Sequence, residues 1–324
     1  MKFRPDYQFS VFAEEEFAEK FREAAAQMEP CRQEGFFHSF DGKDLYYEYF
    51  LAENSRGAVV ILHGLSEFTK KYHEFAYYLL NQGYDVFLYD QRCHGRSCRL
   101  TENPDVIHVG RFTHYVRDLD RFVRDVVRPI TDKPLYLYAH SMGGAVAALY
   151  LAEHPQAFRK AVLSAPMIEP LTGDIPPVVA RVGLGAYLIF ANKKKRFWRT
   201  NDFDPNYKFE RSDDKSLARF TRHMELRRGE RSYQTTPLSM QWIHQSVMLR
   251  PKLVSKRFGR RIQTPVLMLS AELDKVVNIQ AQEAFAEICP ACERVVMKGA
   301  YHAMLNGQVP TITEHIQRVL DHFA

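Results

Sequence analysis

Leu135-Tyr-Leu-Tyr-Ala139-His140-Ser141-Met142-Gly143-Gly144, continuing as Ala-Val-Ala-Ala-Leu149, is the stretch that decides the fold. An apolar run of strand length passes into a helix-forming run, with a serine and small residues at the joint. A serine at the apex of so tight a turn is held in a strained backbone conformation, so its neighbours two positions away must be small. Here they are Ala139 and Gly143, with alanine where glycine is commoner. Such a turn lifts the hydroxyl out of the sheet. It also places the Met142 N–H at the positive end of a helix, where an oxyanion is stabilised. The stretch predicts a buried strand over 135–139, a helix over 142–153, and Ser141 between them as a nucleophile.

The same rhythm continues on both sides. Upstream, Ala58–Leu62 is an unbroken apolar run of the kind found in central strands. A helix over about 70–82 leads to a strand at Tyr84–Tyr89, and a helix over about 114–128 leads to the serine strand. Downstream, the 142–153 helix leads to a strand at Lys160–Ser164. Alternation of this kind predicts βαβ units and a mostly parallel sheet flanked by helices. Before it come an amphipathic helix over 13–27 and an aromatic-rich hairpin, Gly35–Phe40 with Leu45–Phe50. After Pro166 the rhythm stops for about 90 mostly helical residues. It resumes with a strand over Pro265–Ser270, a helix near 279–288, a strand at Arg294–Met297 and a last helix over about 311–322. The expected architecture is an α/β core of residues 1–168 and 258–324, with 1–30 as a helical extension. A largely helical cap, 169–257, is inserted between two strands.

A serine hydroxyl needs a base, and the base needs an orienting carboxylate. Of thirteen histidines, His302 follows the last strand at the carboxyl end of the sheet, where ligands and catalytic groups gather. The preceding strand is followed by Glu272-Leu-Asp274, which makes Asp274 the expected acid and Glu272 its rival. Ser141, Asp274 and His302 then stand in the chain order of a hydrolase triad. The run Ala58–Leu62 ends in His63-Gly64-Leu65. Gly64 permits a bend that aims the Leu65 N–H at the serine as a second oxyanion donor beside Met142. His63, Gly64, Ala139, His140 and Gly143 are the supporting residues of the turn. Asp90-Gln-Arg92-Cys-His94-Gly95-Arg96-Ser97 reads as a salt-bridged turn near the site.

Composition narrows the field. With 46% hydrophobic and 26% charged residues the chain is globular, and no apolar run approaches the ~20 residues of a membrane span. The charged start carries no secretion signal, and five cysteines are read as free thiols, so a cytoplasmic location is expected. Cys289-Pro-Ala-Cys292 has redox spacing without the context of a redox motif or a second pair for zinc. No metal or organic cofactor is expected. Between Glu169 and Arg257 there are 18 Lys/Arg against 9 Asp/Glu, while the rest of the chain is net acidic. The positives are scattered among acids without a reading motif, which argues against nucleic acid. Apolar Pro176–Phe190 abuts Lys193-Lys194-Lys195-Arg196-Phe-Trp198, as in an interfacial contact with an anionic membrane. The other reading is a cap helix with a solvated charged tip.

His63-Gly-Leu-Ser-Glu67, Asp90–Ser97, Ala139-His-Ser-Met-Gly-Gly144, Leu163-Ser-Ala-Pro-Met167 and Gly299-Ala-Tyr-His302 together resemble the bacterial lysophospholipase and monoacylglycerol lipase branch of the α/β-hydrolase superfamily. The resemblance spans roughly 35–322, with the cap matching in length rather than pattern. It implies a serine hydrolase that cleaves the carboxylic ester of a lysophospholipid and sits peripherally on the cytoplasmic membrane. A monoacylglycerol lipase, a general carboxylesterase, or an inactive hydrolase fold serving as a membrane- or partner-binding module are the alternatives.

Overall fold

A computed structural model of the chain describes residues 1–173 and 177–324. Eight strands form one sheet: β1 Arg32–His38, β2 Asp44–Phe50, β3 Gly57–Leu62, β4 Tyr84–Tyr89, β5 Leu135–His140, β6 Lys160–Ser164, β7 Val266–Ala271 and β8 Cys292–Met297. Their spatial order is β1-β2-β4-β3-β5-β6-β7-β8. The β1–β2 and β2–β4 pairs are antiparallel and the other five are parallel. The strand order reverses at the β3–β5 pair, whose register ends with Leu62 beside Ala139. Loops leaving two adjacent strands in different directions open a crevice at their carboxyl ends. The loops after β3 and β5 carry His63-Gly64-Leu65 and Ser141.

Strands β3, β4 and β5 are buried on both faces, so each sends alternate side chains into one of two cores. Val60, Leu62, Leu137 and Ala139 face a core made with α4 (Met142–Glu153) and α3 (Thr113–Phe122). Val59, Ile61, Tyr136 and Tyr138 face one made with α2 (His73–Asn81) and α8 (Val309–Phe323). Helix α4 is apolar all round and buried from Met142 to Ala152, as a helix held between sheet and neighbours must be.

Element ends differ from the sequence expectations where a partner outweighs local pattern. The first helix, α1, runs Phe17–Met28 rather than from 13, because the preceding segment is held to the core instead, Phe12 N–H donating to Tyr78 Oη at 2.9 Å. The hairpin strands begin earlier than expected because Arg32 pairs with Phe50 and His38 with Asp44. The 114–128 helix runs as α3 only to Phe122, then widens into a π turn over Val123–Val127 before Pro129, which has no N–H to donate.

Between β6 and β7 lie α5 (Pro177–Phe190), α6 (Leu217–Gly229) and α7 (Met240–Val247); Pro176, which the sequence reading included in the apolar segment, lies outside the described residues. Helix α6 is fixed to the core by Arg219, whose guanidinium donates to both carboxylate oxygens of Glu74 in α2 at 2.6–3.2 Å. Helix α7 is fixed by Trp242, whose indole N–H donates to Tyr115 Oη at 3.2 Å. Helix α5 rests on α7 and leaves Val178, Val179, Val182, Ile189 and Phe190 exposed. Among the described residues no helix is long and apolar enough to cross a membrane.

Candidate active site

Ser141 has φ 51° and ψ −116°, a conformation that costs of order 1–3 kcal/mol for a residue with a side chain. Its surroundings hold it there. Ser141 N–H donates to Ser164 O at 3.0 Å, and its own carbonyl accepts from Met167 N–H at 2.9 Å and Ala145 N–H at 3.2 Å. The glycines that follow have atomic reasons. A Cβ on Gly143 would lie 2.6 Å from Leu62 O and 2.7 Å from His63 O, and one on Gly144 would lie 2.7 Å from Pro166 Cβ. Helix α4 starts hard against the end of β3, and only glycine clears that backbone.

Three side chains from distant parts of the chain meet at this turn. His302 Nε2 lies 2.9 Å from Ser141 Oγ, and His302 Nδ1 lies 2.7 Å from Asp274 Oδ2. The other Asp274 oxygen accepts from Val276 N–H at 2.8 Å and Val277 N–H at 3.0 Å. Burial pushes this carboxyl up, but His302 and the two backbone donors outweigh burial and hold it below the ordinary 3.8. Glu272 points elsewhere, accepting from Lys298 Nζ at 2.7 Å and Gly299 N–H at 2.8 Å. Serine, imidazole and carboxylate thus form an unbroken line of hydrogen-bond contacts, the geometry that lets a base take a hydroxyl proton.

His63 and His140 are structural rings. His63 Nδ1 is 2.7 Å from Gly64 O, and its Nε2 accepts from Gln91 N–H at 2.9 Å, while Gln91 Nε2 donates back to His63 O at 2.7 Å. The ring therefore pins the end of β3 to the loop after β4 in a neutral form. His140 Nδ1 is 3.1 Å from Ser164 O, and its ring centroid is 4.9 Å from that of His302. Burial pushes both imidazoles down to about 4. Both take up protons near 6.5 when unfolded, so the unfolded chain binds more protons between about pH 6.5 and 4. Stability is therefore expected to fall as pH is lowered through that window, by on the order of 2 kcal/mol per ring at pH 5. Urea midpoints at pH 7.5 and 5, with His63→Gln reducing the difference, check this.

The loop bearing Leu65 is anchored by a residue to which sequence reasoning gave no role. Glu67 Oε2 accepts from Gly64 N–H at 2.6 Å and from the Tyr72 hydroxyl at 2.6 Å, and its other oxygen pairs with Lys71. No local pattern signals this, since Glu67 and Lys71 stand four apart in a loop and a short 3-10 turn, Thr69–Tyr72, rather than on an α-helix face. Leu65 lies half-buried between Gly64 and Ser66, whose φ is +59°, and Met142 opens α4. In the Asp90–Ser97 turn, Arg92 is buried and donates to both Asp118 oxygens at 2.6 Å. Asp90 accepts from Thr69 N–H at 2.7 Å and Arg96 N–H at 2.8 Å. A Cβ on Gly95 would fall 1.9 Å from the Asp90 carboxylate. This turn braces the site through the Gln91 bonds to His63. Among the described residues no cluster of His, Cys, Asp or Glu is arranged to hold a metal ion.

Comparison with known proteins shows the family. The family described as serine aminopeptidase, S33, matches residues 53–308. The chain is 29% identical over 309 residues to lysophospholipase L2 of Escherichia coli, covering 90% of this chain and 87% of that protein. It is 26% identical over 288 residues to monoglyceride lipase of Rattus norvegicus, covering 85% of each. A soluble variant of the Saccharomyces cerevisiae monoglyceride lipase, solved with a substrate analog, superposes with a TM-score of 0.71 at 20% identity, over 89% of this chain and 94% of that one. At that identity the likeness speaks for the fold.

Proposed function

Since this chain belongs to the serine aminopeptidase S33 family and has the α/β-hydrolase fold, we propose that it is a serine hydrolase that cleaves the carboxylic ester of lysophospholipids, releasing a fatty acid and a glycerophospho-alcohol. The observation that carries this reading is the continuous contact from Ser141 Oγ through His302 to Asp274, at 2.9 and 2.7 Å. The substrate class follows the likeness to lysophospholipase L2 over nine-tenths of the chain.

In the proposed mechanism His302 takes the Ser141 proton as the hydroxyl oxygen attacks the ester carbonyl, and Asp274 holds the ring and stabilises its cation. The oxyanion is received by the N–H groups of Met142 and Leu65. His302 passes the proton to the departing alcohol. Water, deprotonated by the same ring, then attacks the acyl-enzyme and frees the acid. Ester and water are the reactants, and Ser141, His302, Asp274 and the two backbone N–H groups are the groups of this chain that act on them.

Residues 169–257 serve as the cap over this crevice. Its α5 presents exposed Val178, Val179, Val182, Ile189 and Phe190, followed by Lys193, Lys194, Lys195, Arg196 and the exposed Trp198. That sequence of apolar face and basic edge suits reversible contact with an anionic membrane, each basic residue contributing about 1 kcal/mol. A variant with Lys193, Lys194 and Lys195 changed to Glu is expected to lose co-sedimentation with phosphatidylglycerol-containing vesicles while keeping activity on p-nitrophenyl butyrate.

The decisive comparison of substrates uses lysophosphatidylethanolamine, monoolein and p-nitrophenyl butyrate, with released fatty acid measured by mass spectrometry. Preference for the lysophospholipid is expected. Preference for monoolein would move the assignment to a monoacylglycerol lipase, in line with the rat relative.

A further inference from the structure

The loop that carries His302 is bonded to the inserted segment as well as to the core. Directly after the histidine the chain makes a short helical turn, Met304–Asn306, closed by Asn306 N–H to Ala303 O at 2.8 Å. Asn306 is buried, and three further hydrogen bonds tie it to the residues that lead into α6. Its carbonyl accepts from Lys215 N–H at 2.8 Å and from Ser216 N–H at 3.0 Å. Its side-chain amide donates to Asp214 Oδ1 at 2.9 Å. On the other side of the histidine, the Lys215 ammonium sits 4.0 Å over the Tyr301 ring. The insertion therefore grips the histidine loop both before and after residue 302.

The same end of α6 is fixed elsewhere. Ser216 caps the helix, its hydroxyl accepting from Arg219 N–H at 3.2 Å and donating to Glu14 at 2.6 Å. Glu14 also accepts from Ala218 N–H at 2.8 Å, and Arg219 carries the buried pair with Glu74. Among the described residues, helix α5 packs against α7 within the insertion. The insertion thus divides into an exposed face and a fixed end, and the fixed end is the one bonded to the catalytic loop.

We propose that Asn306 and Asp214 form a positioning pair that couples the seating of α6 to the placement of His302, so that proton transfer from Ser141 depends on the insertion being docked at this end. The inference rests on His302 being the base. Neither residue touches the reacting atoms. Asn306 acts because it is four residues from the imidazole in a closed turn, and a small shift of the turn moves the Nε2 that must lie within hydrogen-bond reach of Oγ. Displacements of about 1 Å in such a contact lower turnover by up to about a hundredfold.

The pair can be broken and remade by charge. Asn306→Asp sets two carboxylates against each other, and Asp214→Asn restores the bond in the reverse sense, with Asn donating to Asp. For p-nitrophenyl butyrate, Asn306→Asp is expected to lower kcat about tenfold or more with KM within about twofold, the signature of a lost transition-state interaction. The double variant Asn306→Asp/Asp214→Asn is expected to recover most of the loss. Asp214→Ala, which removes the acceptor without adding charge, is expected to lower kcat in the same way and serves if Asn306→Asp does not fold. Reaction with a fluorophosphonate is expected to slow in parallel. Wild-type kcat in Asp214→Ala and Asn306→Asp, or a double variant no better than Asn306→Asp, would overturn the pairing. A wild-type enzyme that is neither labelled nor active would instead remove the underlying assignment of His302 and Ser141, whereas a labelled wild type with an equally labelled Asn306→Asp removes the coupling alone.

Discussion

Replacing Ser141 with alanine is expected to lower kcat for p-nitrophenyl esters roughly ten-thousandfold or more while leaving the melting temperature nearly unchanged. The two halves of this expectation have separate causes. Alanine removes the hydroxyl oxygen placed 2.9 Å from His302 Nε2, so the attack on the carbonyl is left to solvent. The fold does not depend on that oxygen. The turn at 141 is held by its backbone bonds to Ser164, Met167 and Ala145, and alanine keeps the Cβ that makes φ 51° costly, so the strain is the same in both proteins.

Asp274→Asn is expected to lower kcat by about ten-thousandfold with little change in KM, and here the reason is a tautomer. In the native site one Asp274 oxygen accepts from Val276 and Val277 N–H, and the other faces His302 Nδ1 at 2.7 Å. An asparagine must turn its oxygen to the two backbone donors, which leaves its NH2 against Nδ1. The ring then accepts at Nδ1 and carries its proton on Nε2, the atom that has to receive the serine proton. Glu272→Gln is expected to leave turnover near wild type, because that carboxylate is engaged with Lys298 and Gly299 away from the ring. Steady-state kinetics on the two variants check both statements.

The sequence made the core legible because its signals are local. Apolar runs marked β3 and β5, the alternation of helix and strand marked β4, and the Ala139–Gly144 joint marked the turn, since small residues are required wherever α4 abuts β3. The chain order of Ser141, Asp274 and His302 pointed to three loops that the parallel sheet brings to one edge, and the structure places their side chains within 2.9 Å of one another in sequence. Glu272 could not be set aside from sequence, because a single residue separates it from Asp274 and only the course of the loop sends one inward and the other to Lys298.

What remained illegible depends on pairings between distant segments. Nothing near Glu67 announces that it will hold Gly64 N–H, nor near Asp118 that it will meet Arg92. The insertion is the extreme case. Its helices have no alternating pattern against a sheet, and its attachment runs through Glu14, Glu74 and Asn306, residues from three separate parts of the chain. Such contacts are set by the tertiary arrangement, and single polar residues carry no periodic signal.

Treatment of the intact protein with a fluorophosphonate, followed by peptide mass spectrometry, tests most directly whether a buried hydroxyl has been made nucleophilic by its neighbours. One phosphonyl group on Ser141 is expected, with labelling abolished in Ser141→Ala and strongly slowed in His302→Ala. Absence of any adduct on the wild-type chain, or an adduct on a different residue that survives the loss of Ser141, would contradict it.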